Sequence, residues 1–146
     1  MEAVHVKFFL EEGAILPTRA HETDACWDVY SNDAGLILPK RRAVVGTGLK
    51  VGLLPGWELL IRPRSGLAAK QGVTVLNTPG TIDAGYRGEI GVILFNSSND
   101  IFYFNPGDRV AQMALKPVYT VELLIAKSEE ELGYTERGEG GFGSTD

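Results

Sequence analysis

The sequence predicts an all-β jelly-roll sandwich or barrel with one very short helix, and three observations carry that expectation. Apolar and mixed residues come in short runs of four to eight, with alternation where it is clearest and no sustained helical spacing. Turn signals such as Leu54-Pro55-Gly56, Asn105-Pro106-Gly107 and Asn99-Asp100 punctuate the runs. Only Leu67-Ala68-Ala69-Lys70 looks helical, and it spans about one turn. With 146 residues, 44% of them hydrophobic and 23% charged, the chain has the composition of one ordinary globular domain able to bury a sizeable core.

Taken in order, residues 4–9 open with the alternation Val4-His5-Val6-Lys7-Phe8-Phe9, which suits a half-buried strand. Residues 25–31 form a mixed run that carries a carboxylate, Asp28. Residues 44–51 are strand-like but broken by Gly46 and Gly48, and residues 57–62 follow the Pro-Gly turn. Residues 73–76, 89–96, 101–104, 109–115 and 118–125 complete the expected strands. From Lys127 the composition turns acidic and then glycine-rich. Ser128 and Glu131 are spaced as a capping box for one helical turn, with too few apolar residues after them to anchor it. The expected division is therefore a β-domain over residues 1–126 and a flexible C-terminal arm over residues 127–146.

Charge and cysteine usage narrow the function classes. A net charge of −5 repels nucleic acid and anionic membranes, so an anionic ligand must be held by a few local arginines, backbone amides or a metal ion. A single cysteine, Cys26, excludes an internal disulfide framework, and the cytoplasm is the expected compartment. Apolar stretches such as Val92-Ile93-Leu94-Phe95 are far shorter than the ~20 residues of a membrane helix. His5 and His21, with that one cysteine, make neither a structural zinc site nor a zinc-deaminase signature, and both are expected at the surface.

Five segments combine residue types suited to a phosphate-bearing ligand. The last ten residues, Arg137-Gly138-Glu139-Gly140-Gly141-Phe142-Gly143-Ser144-Thr145-Asp146, join glycine amides, a guanidinium and hydroxyls around one aromatic ring. Gly138 and Gly143 have Walker A spacing, but Ser144 stands where the lysine belongs. Pro63-Arg64-Ser65-Gly66 precedes the helical turn; it reads as an anion site of amides, Arg64 and the Ser65 hydroxyl, or simply as an N-cap at Ser65. A serine nucleophile lacks any neighbouring base. Residues 77–88, Asn77-Thr78-Pro79-Gly80-Thr81-Ile82-Asp83-Ala84-Gly85-Tyr86-Arg87-Gly88, read as a hairpin whose peptide groups can bond a base, with Asp83 a candidate general base and Tyr86 a flat surface for a sugar. A plain hairpin with an Asx-turn aspartate has the same look. Asp28 in Ala25-Cys26-Trp27-Asp28-Val29-Tyr30-Ser31 needs an arginine or a metal-bound water as partner. Gly107-Asp108-Arg109-Val110-Ala111-Gln112 places polar groups before an apolar strand, as a ligand contact or as a turn followed by a salt bridge.

In this order and spacing, the five segments closely resemble the five motifs of the homotrimeric dUTP pyrophosphatase (dUTPase) family. The resemblance implies a jelly-roll homotrimer with three active sites at subunit interfaces, each built from all three chains, and an arm exchanged between subunits. It implies hydrolysis of dUTP to dUMP and pyrophosphate, with Mg²⁺ carried by the triphosphate, which limits uracil in DNA and supplies dUMP for dTMP synthesis. Asp83 would then deprotonate the water that attacks the α-phosphorus. Asn77 and the peptides of Gly80, Thr81 and Ile82 would read uracil, and Tyr86 would lie against the deoxyribose. Arg64, Ser65 and Gly66 would hold phosphates, Gln112 a phosphate or the water, and Asp28 the water shell of the metal. Arg137, Phe142, Gly143, Ser144 and Thr145 would close over the site of a neighbouring subunit. Neither nucleic acid nor membrane is an implied partner.

Three positions depart from the family pattern: Cys26 where glycine is common, Gly85 where an acidic residue is frequent, and Asp146 where glycine is usual. Two rival readings have specific tests in the sequence. The related dCTP deaminases carry a catalytic glutamate in the strand after the hairpin, where this chain has Ile93, which cannot shuttle a proton. An idle nucleotide-binding protein on the same scaffold would be free to lose Asp83, which is present.

Overall fold

Eleven strands and one short helix appear in the computed structural model, which describes residues 3–144. The strands are β1 (Lys7–Leu10), β2 (Trp27–Tyr30), β3 (Gly35–Ile37), β4 (Arg42–Gly46), β5 (Leu49–Gly52) and β6 (Trp57–Arg62). Helix α1 (Ser65–Gln71) follows, then β7 (Val73–Val75), β8 (Gly80–Ile82), β9 (Gly91–Asn96), β10 (Phe102–Phe104) and β11 (Arg109–Pro117). All pairings are antiparallel, in sheets ordered β2-β11-β6-β8, β4-β9-β7, β1-β5 and β3-β10.

Alternation explains why these sheets close on one core. Along β9, Val92, Leu94 and Asn96 are buried while Gly91, Ile93 and Phe95 face outward. Inward side chains such as Val29, Ile37, Val45, Leu59, Leu94 and Phe104 meet in a single apolar cluster drawn from most of the strands. Three buried polar side chains sit beside that core, and each is satisfied. Asn96 donates from Nδ2 to the carbonyls of Ile37 (2.9 Å) and Asp100 (2.7 Å), while its Oδ1 accepts from the Ser98 amide and hydroxyl. Thr47 donates to the Ile90 carbonyl at 2.6 Å, and Ser31 to that of Asp33 at 2.7 Å.

Several elements differ from the sequence expectation for identifiable reasons. Residues 44–51 are two strands, because at Thr47-Gly48 the chain turns, with Gly48 at φ +67°, and passes from the β9 pairing to the β1 pairing. Strands β3 and β8 are three residues each and begin on glycines among turn residues. Helix α1 is longer than residues 67–70. Its N-cap position is Arg64 without a side-chain cap, so Ser65 is not the cap. Gly72 ends it in the left-handed region, its N–H returning to the carbonyls of Ala68 and Leu67.

The largest correction concerns residues 118–125, which form no strand. The Val118 amide donates to the Gly56 carbonyl at 2.9 Å, and beyond it the segment has no backbone partner among the described residues. Leu123 is 90% and Ile125 96% exposed. A one-turn 3₁₀ helix, Glu129–Leu132, does follow Ser128, but the serine makes no cap. Glu131 instead accepts from the Lys127 amide at 2.9 Å. Among the described residues, no helix is long and apolar enough to cross a membrane.

Candidate active site

A cleft of about 460 Å³ opens where β2, β6 and β11 lie side by side, lined by Asp28, Arg64, Arg109 and Gln112 with Cys26 and Asp24 at its rim. Asp28 is held from both sides of its strand. Its amide donates to the Thr18 carbonyl at 2.7 Å, and Gln112 is its register partner on β11. The carboxylate, with its side chain 13% exposed, receives Arg64 Nε at 3.2 Å on Oδ1 and pairs with Arg109 Nη1 at 3.5 Å on Oδ2. The expected arginine partner of Asp28 is therefore present twice.

Arg109 reaches the cleft because β11 is irregular. The register against β2 shifts between Arg109 and Ala111, and both Val110 and Ala111 are buried. Two successive inward residues put Arg109 and Gln112, three positions apart, on the same outward face, as a β-bulge re-aims side chains. Strict alternation would set them on opposite faces. Of the segment expected as a ligand contact or a turn followed by a salt bridge, only Gln112 was singled out, and the salt bridge is the one Arg109 makes with Asp28. Asp108 serves the turn before it, accepting from the Asn105 amide at 2.8 Å. Asp24 likewise closes its own turn at the rim, accepting from the His21 amide at 2.9 Å. Both histidines are exposed.

Ser65 and Gly66 are exposed at the start of α1, next to Arg64. A Cβ added at Gly66 would meet nothing within 4 Å, in keeping with the exposure of this residue.

A second, smaller cleft of about 150 Å³ lies at the turn after β8 and is lined by Thr81, Ile82, Asp83, Tyr86, Glu89 and Gly91. Residues 77–88 do not pair with themselves as the expected hairpin: β8 pairs with β6 through Leu59, Leu60 and Ile61, and the residues after it continue as turns. Asp83 follows β8 and is exposed; its carbonyl accepts the Tyr86 amide at 3.0 Å in the turn. The Tyr86 hydroxyl donates to the Glu89 carbonyl at 2.8 Å, and its ring covers Gly88, where a Cβ would come within 2.4 Å of the hydroxyl oxygen. Gly80 is buried against Asn77, whose Nδ2 would be 3.1 Å from an added Cβ. Any side chain at Gly80 would push the Asn77 amide out of place.

The two clefts share no lining residue. Asp83 and Tyr86 are in one; Asp28, Arg64 and Gln112 are in the other. Arg137, Phe142, Gly143 and Ser144 line neither. They belong to a series of turns in which Arg137 Nε donates to the Gly140 carbonyl at 2.8 Å and the Ser144 amide to Gly141 at 3.1 Å, with the Phe142 ring wholly exposed. Thr145 lies outside the described residues, as does Asp146.

The family model of dUTPase matches residues 12–146. The chain belongs to the dUTPase family. It is 50% identical to the deoxyuridine 5′-triphosphate nucleotidohydrolase of Clostridium tetani, over 93% of this chain and 92% of that protein. The corresponding protein of Picosynechococcus is 48% identical, over 93% of this chain and 94% of its own length. Among solved structures, a mutant dUTPase of Staphylococcus bacteriophage 80alpha with dUpNHpp superposes with a TM-score of 0.87 at 28% identity, covering 97% of this chain and 98% of that one. A mutant dUTPase of phage phi11 of S. aureus, described for its coordination of a structural Mg(II) ion, gives 0.79 at 27% identity, covering 87% and 99%.

Against this family frame, the departures at Cys26 and Gly85 have clear positions. Cys26 is half-buried at the rim of the arginine-lined cleft. Gly85 has open space where a side chain would be.

The donor set also bears on the metal. Among the described residues, no three His, Cys, Asp or Glu side chains gather as a cage. Mg²⁺ typically keeps several waters and is bound through one or two carboxylates plus substrate phosphates; Asp28, with both oxygens on arginines, would meet such an ion only through its waters and alongside the charge of a bound triphosphate.

Proposed function

We propose that this chain hydrolyses dUTP to dUMP and pyrophosphate as a homotrimer, at sites assembled between subunits. The observation that carries the reading is the cleft in which Asp28, Arg64, Arg109 and Gln112 face one another on a chain of the dUTPase family. Two guanidiniums and the exposed Gly66 suit the triphosphate, whose charge must be met locally on a chain of net charge −5. Asn77 and the peptides of Gly80, Thr81 and Ile82 bond the base, and the face of Tyr86, held by its bond to Glu89, packs on the deoxyribose where a 2′-hydroxyl would collide.

Asp83 accepts the proton of a water as its oxygen bonds to the α-phosphorus. The bond from the α-phosphorus to the oxygen bridging to the β-phosphorus breaks, and pyrophosphate leaves with that electron pair. Arg64 and the arm residues Arg137, Ser144 and Thr145 meet the charge that develops on the phosphates. Bound through water by Asp28, Mg²⁺ would supply charge neutralisation and orientation of the triphosphate. Because the chemistry asks for positioning and charge rather than a covalent nucleophile, it needs neither histidine. We also place this activity in the cytoplasm, where a lone cysteine stays reduced.

The assembly rests on two further features. Residues 118–125 expose Val121, Leu123, Leu124 and Ile125, an apolar surface that is costly to leave in water. The arm carries phosphate-binding residue types yet has no place in either cleft of its own chain. Both are accounted for when a neighbouring subunit receives them. The direct test is pyrophosphate release from dUTP, dCTP and UTP: turnover of dUTP alone supports the reading, and equal turnover of all three, or none of dUTP, removes it.

A further inference from the structure

The outer face of β1 and β5 carries a cationic groove of about 350 Å³ whose lining includes Lys7, Phe9, Lys50 and Arg87. Register explains the grouping. Phe9 opposes Lys50 and Lys7 opposes Gly52, so Lys7, Phe9 and Lys50 stand on one side of the two-stranded sheet. Phe9 is 61% exposed, with Lys50 Nζ 5.7 Å from its ring centroid. Lys50 also pairs with Glu11 at 3.0 Å, and among the described residues this is the only carboxylate bonded to any of the three cations. Arg87 Nη1 donates to the carbonyls of Ala84 (2.6 Å) and Tyr86 (2.9 Å), which ties the groove to the turn segment that carries Asp83. On a chain of net charge −5, three cations around an exposed aromatic invert the overall charge locally.

The same chain contains a segment of opposite character. The 3₁₀ turn Glu129–Leu132 holds Glu129, Glu130 and Glu131, none of which is in an ion pair among the described residues. Leu132, its last residue, and Tyr134 beyond it are exposed and pack on nothing in their own chain's core. Acidic turn and apolar pair match cationic groove and Phe9 in kind.

We propose that the groove formed by Lys7, Lys50 and Arg87 seats the acidic turn Glu129–Leu132 of a second copy of this chain, with Leu132 and Tyr134 against Phe9. The seat rests on the reading that the arm acts on a neighbouring subunit, and it deepens that reading by fixing which subunit receives it. The arm docks beside the Asp83 turn segment of the subunit whose Asp83 it then covers. Both partners are solvent-facing, so their attraction acts within about 8 Å at physiological salt and weakens as salt rises.

The test uses full-length chains with charges reversed outside the catalytic machinery. One carries Lys7→Glu with Lys50→Glu, a second Glu129→Lys with Glu130→Lys, and a third all four changes. For each, KM for dUTP is measured across salt concentration, and the rate of chymotryptic cleavage after Tyr134 reports how well the arm is held without reference to turnover. Each reversed pair is expected to raise KM by about tenfold at low salt and to speed cleavage, with the chain carrying all four changes returning close to the unaltered protein. Mixing the first and second variants into joint trimers should recover part of both readouts, because the reversed groove of one chain then meets the reversed turn of the other. Recovery only in the chain carrying all four changes, and none on mixing, would place the contact within one chain and overturn the proposal. So would variants that behave like the unaltered protein while removal of residues 137–146 still cripples turnover, since the arm would then act without this seat. If that removal leaves turnover intact, the underlying reading of the arm fails instead.

Discussion

Asp28 holds Arg64 on one carboxylate oxygen and Arg109 on the other, and that geometry puts Arg109 in the cleft proposed to take the triphosphate. Arg109→Ala is expected to raise KM for dUTP by roughly tenfold with an unchanged trimer, measured by steady-state kinetics and size-exclusion chromatography; an unchanged KM would return Arg109 to a purely structural role. Asp83 carries a different burden. Asp83→Asn preserves shape but cannot take a proton, so kcat is expected to fall roughly 100- to 10,000-fold while a non-hydrolysable dUTP analogue still binds. Substantial pyrophosphate release by that variant would remove Asp83 as the base. Asp28 stood out in the sequence as an acidic residue beside apolar ones, and its expected arginine partner is present. Arg109 was not singled out within its segment, because its orientation depends on a local loss of alternation that no periodic pattern announces.

Strands made of apolar runs were the ones sequence could read. Strand β6 was expected at residues 57–62 and is found there, and the three-residue β7 and β10 fall within the expected runs 73–76 and 101–104, while β3 and β8 begin on glycines among turn residues. Residues 118–125 have a strand's composition, yet a strand also needs a neighbour with unpaired peptides, and composition does not say whether that neighbour is in the same chain. What ties elements together was also hidden. Asn96 reads only as the last residue of the expected strand 89–96, but its side chain joins the end of β9 to β3 and to the loop before β10. Asn96→Ala would leave several buried groups without partners. A loss of about 3 kcal/mol, or roughly 10 °C in the midpoint of thermal unfolding, is expected. A shift below a degree or two would show that water replaces the amide at little cost.

At the scale of the whole molecule, Asp83 lies in one cleft and Arg64 and Arg109 in another, and the proposed trimer would bring the two together. Removing residues 137–146 is expected to leave a folded trimer that turns over poorly. Mixing that shortened protein with full-length Asp83→Asn chains tests the arrangement directly, since some joint sites would unite a good Asp83 with a good arm and regain activity. Joint trimers as inactive as their parents would mean that the arm serves its own chain.

The separation of the two clefts has one more consequence, for how the enzyme behaves on dilution. If no single chain holds a complete site, subunits that fall apart are not weaker catalysts but inert ones, and specific activity becomes a function of protein concentration. Above the dissociation range the rate should rise in proportion to enzyme; below it, with the approach to a third-order dependence, each halving of protein should cost more than half the rate. A progress curve begun by rapid dilution would slow as trimers dissociate, and saturating substrate, bound across the subunit boundary, would delay that loss.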